Sequence, residues 1–310
     1  MIGLDIFTSV ILPIFILIGL GVLVDRFIEI DVKTLARLTF TLFMPALVFV
    51  NLVKSQLDPT SFASIAAFTL VHFALLLGLS LFLYSVPPFR SRRVLLTMGT
   101  IFYNSGNYGT PFAALAFGSL GVSVLAIVLM VQSVTIFTLG VWMVNPVSRN
   151  LRGGLTALLS VPVVYAVVAA LIVRAVQLPI PEVVWQPLQY LANAVVPAAL
   201  VTLGIQLGRS RLTRDLLPLL SAATVIRLLL SPLMALGLLF AWRAIFPGSL
   251  DTSGQILVVA AGLPAAVNIT VLAIEYKREP ETASQMVFLT TLLSAVTLTA
   301  WLWFTGRAWF

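Results

Sequence analysis

The run Ile101-Phe-Tyr-Asn-Ser-Gly-Asn-Tyr-Gly-Thr-Pro-Phe112 sets two amides, two glycines and a proline inside a segment apolar enough to cross a membrane. A helix carrying this run is expected to break. In hydrocarbon every free backbone N–H and C=O must find a partner, so such a break survives only where it is buried in protein or lines a cavity. The run therefore points to a multi-spanning helical membrane protein with an internal path.

Composition agrees, because 60% of the 310 residues are apolar, 9% are charged and mean hydropathy is +1.09. Windows of about 19 residues, set against a hydrocarbon core of roughly 30 Å, give ten spans. They lie near residues 5–24, 33–53, 61–84, 94–117, 121–142, 154–175, 184–207, 216–240, 254–275 and 283–305. The first span has no basic residue ahead of it and exceeds a signal peptide's apolar core, so a retained helix is expected. Thirteen of the 18 basic residues fall in connectors that share one face, among them Arg26, Lys33, Arg37, Arg90, Arg209, Lys277 and Arg278. The opposite face holds Lys54, Arg174, Arg243 and Arg307, which leaves Arg227 inside a span. The positive-inside rule puts the basic face in the cytoplasm and, with ten spans, both termini outside. A net charge of +7 therefore reflects topology in the cytoplasmic (inner) membrane, not nucleic-acid binding. With no cysteine, disulfides, thiolate metal sites and cysteine nucleophiles are excluded.

Two halves of five spans insert with opposite orientation, so an inverted repeat is expected: residues 1–144, a cytoplasmic joint at 145–153, and residues 154–310. Prolines mark the correspondence. Pro13 and Pro162 differ by 149, Pro45 and Pro197 by 152, and Pro111 and Pro264 by 153, each pair in matching helices.

The fourth and ninth spans carry the expected substrate site. A helix-interior proline lacks an N–H and crowds the carbonyl four residues back. On this reading Pro111 releases the carbonyl of Asn107, Pro264 releases that of Ala260, and half-helices beginning at the two prolines bring their N-termini together at mid-depth. Such N-termini offer N–H donors and partial positive charge to an anion. Asn104, Asn107 and Asn268 add neutral donors and acceptors, either capping the broken backbone or also touching substrate.

At these residues the chain resembles the auxin efflux carrier family, which includes the PIN-type plant carriers and compact bacterial carriers described as malonate or organic-acid permeases. The matching stretches are Leu12-Pro-Ile-Phe-Ile-Leu-Ile-Gly-Leu-Gly21, Leu42-Phe-Met-Pro-Ala-Leu-Val-Phe49, Tyr103-Asn-Ser-Gly-Asn-Tyr-Gly-Thr-Pro111 with Phe117-Gly118, Arg227-Leu-Leu-Leu-Ser-Pro232, and Leu263-Pro-Ala-Ala-Val-Asn268 with Glu275-Tyr276. The resemblance covers nearly the whole chain. It implies an all-α fold similar to that of bile-acid symporters, with ten helices in a five-plus-five inverted repeat, crossed broken helices four and nine, a scaffold and a transport domain, and elevator-like motion. The short joint between halves matches the compact form without the plant regulatory loop.

Arg227 is the one charge near the middle of a span, where it either attracts an anion or is satisfied by carbonyls such as that of Leu228; the structural role is favoured. His72, the sole histidine, is read as a hydrogen-bonded structural group ahead of a proton carrier. Gln132, Ser133 and Thr135 either line the path or make interhelical hydrogen bonds. Asn51 and Gln206 sit at comparable places in the second helix of each half and are read the same way, and Thr290, Thr291 and Ser294 as packing polar groups. No Asp or Glu lies mid-span, which disfavours ion coupling through a buried carboxylate. The substrate-binding set is thus Asn104, Asn107, Pro111, Pro264, Asn268, Gln132, Asn51 and Arg227, with no metal and no cofactor. The expected partners are a small organic anion and the bilayer, with a homodimer as an open assembly. A secondary carrier is favoured over a proton- or sodium-coupled relative of the same fold and over an anion channel. A membrane enzyme would lack a nucleophile, base or metal ligands at depth.

Overall fold

The computed structural model describes residues 3–308 apart from 56, 145–161 and 211. Among the described residues the chain is helical, and its single β-type contact is an antiparallel bridge between Tyr103 and Ala265. The helices are α1 Gly3–Val24, α2 Val32–Lys54, α3 Pro59–Leu83, α4 Arg93–Ile101, α5 Ser105–Val144, α6 Pro162–Ala175, α7 Glu182–Gly208, α8 Arg214–Ile245, α9 Gly254–Ala260, α10 Asn268–Glu275 and α11 Pro280–Ala308. Seven of these are long and apolar enough to cross a membrane: α1, α2, α3, α5, α7, α8 and α11. The difference from ten has local causes. The second part of the expected fourth span runs into the fifth as α5, which turns sharply at Gly118, where φ is 60° and ψ is −145°. The expected ninth span is divided between α9 and α10. The sixth is described only from Pro162 onward, and the expected joint at 145–153 lies outside the described residues.

Four prolines share a local signature. A five-residue π turn ends two residues before each of Pro13, Pro45, Pro111 and Pro232, at Phe7–Ile11, Thr39–Phe43, Ser105–Gly109 and Ile226–Leu230. The proline ring would collide with a carbonyl in a regular α-helical turn. Widening the turn by one residue makes room for the ring while keeping the helix continuous. The expectation that Pro111 marks the start of a half-helix is therefore corrected: the helix runs through Pro111, and the break falls earlier, at Phe102–Asn104.

The tightest pairings join α1 to α7 and α2 to α6 and α7. Gly21 and Gly204 make the first of these possible, because a side chain on either would run into the opposing backbone, at the Val201 and Ile18 carbonyls respectively. Gly204 and Gly208 form a Gly-x-x-x-Gly face that suits such close approach. A second group forms around α3, α4, α5, α8, α9, α10 and α11, centred on aromatic and aliphatic residues such as Phe68, Phe102, Tyr108, Phe112 and Leu263. Each group draws helices from both halves of the chain. They meet where Met44, Leu47 and Val48 of α2 pack against Val122, Ala126 and Leu129 of α5. Among the described residues the ion pairs Arg209–Asp25, Arg92–Glu279 and Arg243–Asp251 each stay within one group. Neutral hydrogen bonds cross between the groups, from the Ser123 hydroxyl to the Asn51 carbonyl at 3.4 Å and between the Ser210 and Ser284 hydroxyls at 2.7 Å.

Candidate functional site

Two chain breaks meet at the centre of the second group. After α4 the backbone extends through Phe102, Tyr103 and Asn104 before α5 begins; after α9 it runs through Ala261–Val267 before α10 begins. The breaks pair with each other. Asn104 N–H donates to the Pro264 carbonyl at 2.8 Å, and Ala266 N–H donates to the Phe102 carbonyl at 2.9 Å. Interrupting two helices at one place thus lets the freed backbone groups of one satisfy those of the other, as a hydrocarbon surrounding demands.

Side chains complete the arrangement. The Asn104 side-chain oxygen accepts from Asn107 N–H at 3.1 Å and caps α5, and the Thr110 hydroxyl donates to the Ser105 carbonyl at 2.9 Å. Gly109 lets the turn close, since a Cβ there would stand 2.7 Å from Leu263 and 3.0 Å from the Asn104 carbonyl. On the other arm, Ala265 N–H donates to the Thr290 hydroxyl of α11 at 3.0 Å, giving Thr290 a specific task beyond packing. The second half-helix starts at Asn268, four residues past Pro264, and the Ala260 carbonyl accepts from Leu263 N–H at 3.1 Å. Pro264 has no N–H for that carbonyl, which takes this tighter bond instead, whereas the expectation that the half-helix begins at Pro264 is corrected.

A cavity of about 370 Å³ lies against this crossing. Asn104, Asn107, Asn268 and Gln132 all line it, with Tyr103, Ser105 and Ser133. Asn104 is 5% exposed, and among the described residues its Nδ2 has no hydrogen-bond partner even though its side-chain oxygen is engaged. Apolar walls come from Phe40, Leu129, Ile136, Pro162 and Val267. The cavity spans the seam between the helix groups, because Arg37, Phe40 and Thr41 belong to α2. Pro111, Pro264, Asn51 and Arg227 do not line it. Asn51 donates to the Leu47 carbonyl of its own helix at 2.8 Å, and Ser133 and Thr135 likewise turn to their own helix backbone. Gln206 lines a smaller pocket of about 230 Å³ that shares Val267 with the main cavity.

Arg37 was not among the residues expected at the site. It sits in the second turn of α2, is exposed, and is the one charged residue lining the cavity among the described residues. Its signal in the sequence is the stripe Arg37, Phe40, Thr41, at the i, i+3, i+4 spacing of one helix face.

Arg227 works from outside the cavity. Fully buried, it donates to the Thr100 carbonyl at 2.6 Å, to the Ser231 hydroxyl at 2.8 Å and to the Ala261 carbonyl. Thr100 is in the last turn of α4 and Ala261 follows α9, so one guanidinium satisfies carbonyls at the C-terminal ends of both broken helices. That is also where the helix dipoles are negative. Its guanidinium lies 4.9 Å from the centre of the Tyr103 ring, a residue that itself lines the cavity. The carbonyl of Leu228, an expected partner, accepts instead from Trp301 Nε1 at 3.0 Å. His72 belongs to the same network, its Nε2 donating to the Ser231 carbonyl at 3.1 Å.

Charged groups at the helix ends are tied down separately. Asp58 caps α3, and its bonds from Ser61 and Thr60 hold its carboxyl down at about 2. Asp31, capping α2, lies below the ordinary value through the Thr34 hydroxyl and Lys33 N–H. Asp25 is lowered by the Arg209 guanidinium, which grips both its oxygens at 2.9 and 2.6 Å.

A bundle of apolar spanning helices whose two interrupted members meet beside an amide-lined cavity is suited to passing a small polar solute. Residues 151–302 match the family described as membrane transport protein, so the chain, with seven helices long and apolar enough to cross a membrane, is a multi-pass membrane protein that is similar to that family over its second half. Over nearly its whole length it is also similar to two transporters. One, from Methanothermobacter thermautotrophicus, is named "Uncharacterized transporter" and is 29% identical over 93% of this chain and 92% of its own. The other, from Rhizobium meliloti, is named "Putative malonate transporter" and is 26% identical over 96% of this chain and 95% of its own. These matches agree with the resemblance to auxin efflux carriers seen in the motifs.

Proposed function

We propose that the chain carries a small organic anion across the cytoplasmic membrane, with the anion held at the crossing of the two broken helices. The observation that carries this reading is the buried Asn104 amide, whose Nδ2 has no partner among the described residues, beside Asn107 and Asn268 in one cavity with a cationic Arg37 and, among those residues, no lining Asp or Glu. A buried amide donor without a protein partner costs free energy that a bound carboxylate oxygen would recover. Asn107, Asn268 and Gln132 would complete the first contacts, while Pro111 and Pro264 act by shaping the backbone. Arg227 acts by holding the two half-helices, and Asn51 by holding α2.

The motion that fits is a slide of the α3–α5 and α8–α11 group against the α1, α2, α6 and α7 group, an elevator built on a five-plus-five inverted repeat of ten spans. Three features support it: the proline correspondences between halves, the way both halves contribute to each group, and ion pairs that stay within groups. With the basic face in the cytoplasm and both termini outside, Arg37 stands toward the cytoplasmic end. The lack of a lining carboxylate supports a carrier driven by membrane potential.

Uptake of malonate, succinate and indole-3-acetate into proteoliposomes with clamped voltage, pH and sodium tests the reading. Saturable, counterflow-competent transport of at least one acid is expected, reduced about tenfold or more in Asn107→Ala and Asn268→Ala. Correctly folded variants that transport like the parent would remove the crossing as the substrate site. A strict need for a proton or sodium gradient at zero voltage would favour the coupled carrier.

A further inference from the structure

The cavity is built from parts that belong to different helix groups. The amides of Asn104, Asn107 and Asn268 come from the crossing, whose α4 and α10 pack with α3, α8 and α11 while its Ser105–Gly109 turn also touches α7 across the seam, whereas Arg37 comes from α2, packed with α6 and α7. Arg37 enters no ion pair among the described residues, and its backbone carbonyl accepts from the Thr41 hydroxyl at 2.7 Å. Its stem can lie along the apolar wall of Phe40 and Pro162 with the guanidinium directed at an anion, since long cationic side chains commonly pair an apolar stem with a polar head. A guanidinium also offers a forked donor pair that matches a carboxylate.

We propose that Arg37 is a charge-selecting residue of the transport site that serves one face of the membrane only. The proposal rests on the sliding-group reading above. When the crossing moves with its anion, the amides travel and Arg37 stays behind on α2. Its attraction is therefore added to the amide contacts in the conformation described here and removed in the opposite one. The carrier should then bind anions more tightly from the Arg37 face, and this difference should depend on the substrate's charge. Dianions such as malonate and succinate should feel it more than the monoanion indole-3-acetate, because one carboxylate can stay at the amides while another meets Arg37.

The test is zero-trans transport of malonate, succinate and indole-3-acetate, measured from each face separately in vesicles of defined orientation, for the parent, Arg37→Gln and Arg37→Lys. For the dianions, Arg37→Gln should raise the half-saturating concentration about tenfold from the Arg37 face, the scale of one charge-assisted hydrogen bond. From the other face the change should stay within about twofold. The indole-3-acetate value should shift less, and Arg37→Lys should restore much of the loss by keeping the charge. An equal change on both faces, or no change on either, would overturn the proposal while leaving the crossing as the site. If the parent carried none of the three acids while remaining folded, the anion-carrier reading itself would fall, and the Arg37 proposal with it.

Discussion

The two arms of the crossing solve one problem in different ways. The first break is three residues long and capped from within, by the Asn104 side chain on Asn107 N–H, with a widened turn leading to Pro111. The second is seven residues long, has no side-chain cap at the start of α10, and borrows the Thr290 hydroxyl from α11 for Ala265 N–H. One arm is largely self-sufficient and the other depends on its neighbours. Asparagines that look equivalent in sequence therefore have unequal duties: Asn104 holds backbone and faces the cavity, whereas Asn268 opens α10 without a cap bond and is the freer ligand.

Substitutions can break or sharpen this contrast. The largest effect is expected from Arg227→Leu, which strands the Thr100 carbonyl on the first arm and leaves the Ala261 carbonyl on the second with the Ser231 hydroxyl alone. A loss of about 3 kcal/mol or more in unfolding free energy, with collapse of transport, should appear in denaturation in detergent. If the loss were small, the guanidinium would not be the shared anchor. Asn104→Ala should cost about 1 kcal/mol through its cap, together with transport, whereas Asn268→Ala should cost transport while stability stays within about 0.5 kcal/mol. Equal destabilisation by the two would erase the asymmetry. Thr290→Val should weaken only the second arm, by about 1 kcal/mol, seen as faster hydrogen exchange at Ala265 and Ala266 than at Asn104.

The smallest effect is that of acid. Asp58 is held at about 2 in the folded chain against an ordinary 3.8, so its contribution at the start of α3 is complete above about pH 4 and fades as the pH falls toward 2. Hydrogen exchange should quicken there first, while the crossing, with no carboxylate among its described lining residues, stays protected. Acid loosening of the crossing ahead of α3 would contradict this.

Much of this was legible in the chain. Apolar runs gave the seven long helices, and the amide and glycine run at Asn104–Gly109 located one arm, because such residues are too costly in lipid without a purpose. The position of the break was misread by several residues, since a proline can widen a turn as well as end a helix, and the local sequence around Pro111 does not say which. The pairing of Asn104 with Pro264 left no residue-type signature at all, because it runs through backbone atoms that every residue carries. Arg37 was hidden by its company: among thirteen basic residues on one face it looked like a topology signal, and only the shared helix face with Phe40 and Thr41 distinguishes it.

The bridge from Asn104 to Pro264 also sets an order of assembly. The first arm is synthesised about 160 residues before its partner, and at ordinary translation rates it waits on the order of ten seconds or more with its interrupted backbone unanswered. The amino-terminal half cannot finish its own fold in lipid. Until the carboxy-terminal half arrives, Asn104 N–H and the Phe102 carbonyl lack the partners they have in the whole chain, so a chain ending between the two breaks should hold its first arm less firmly against hydrogen exchange than the full one.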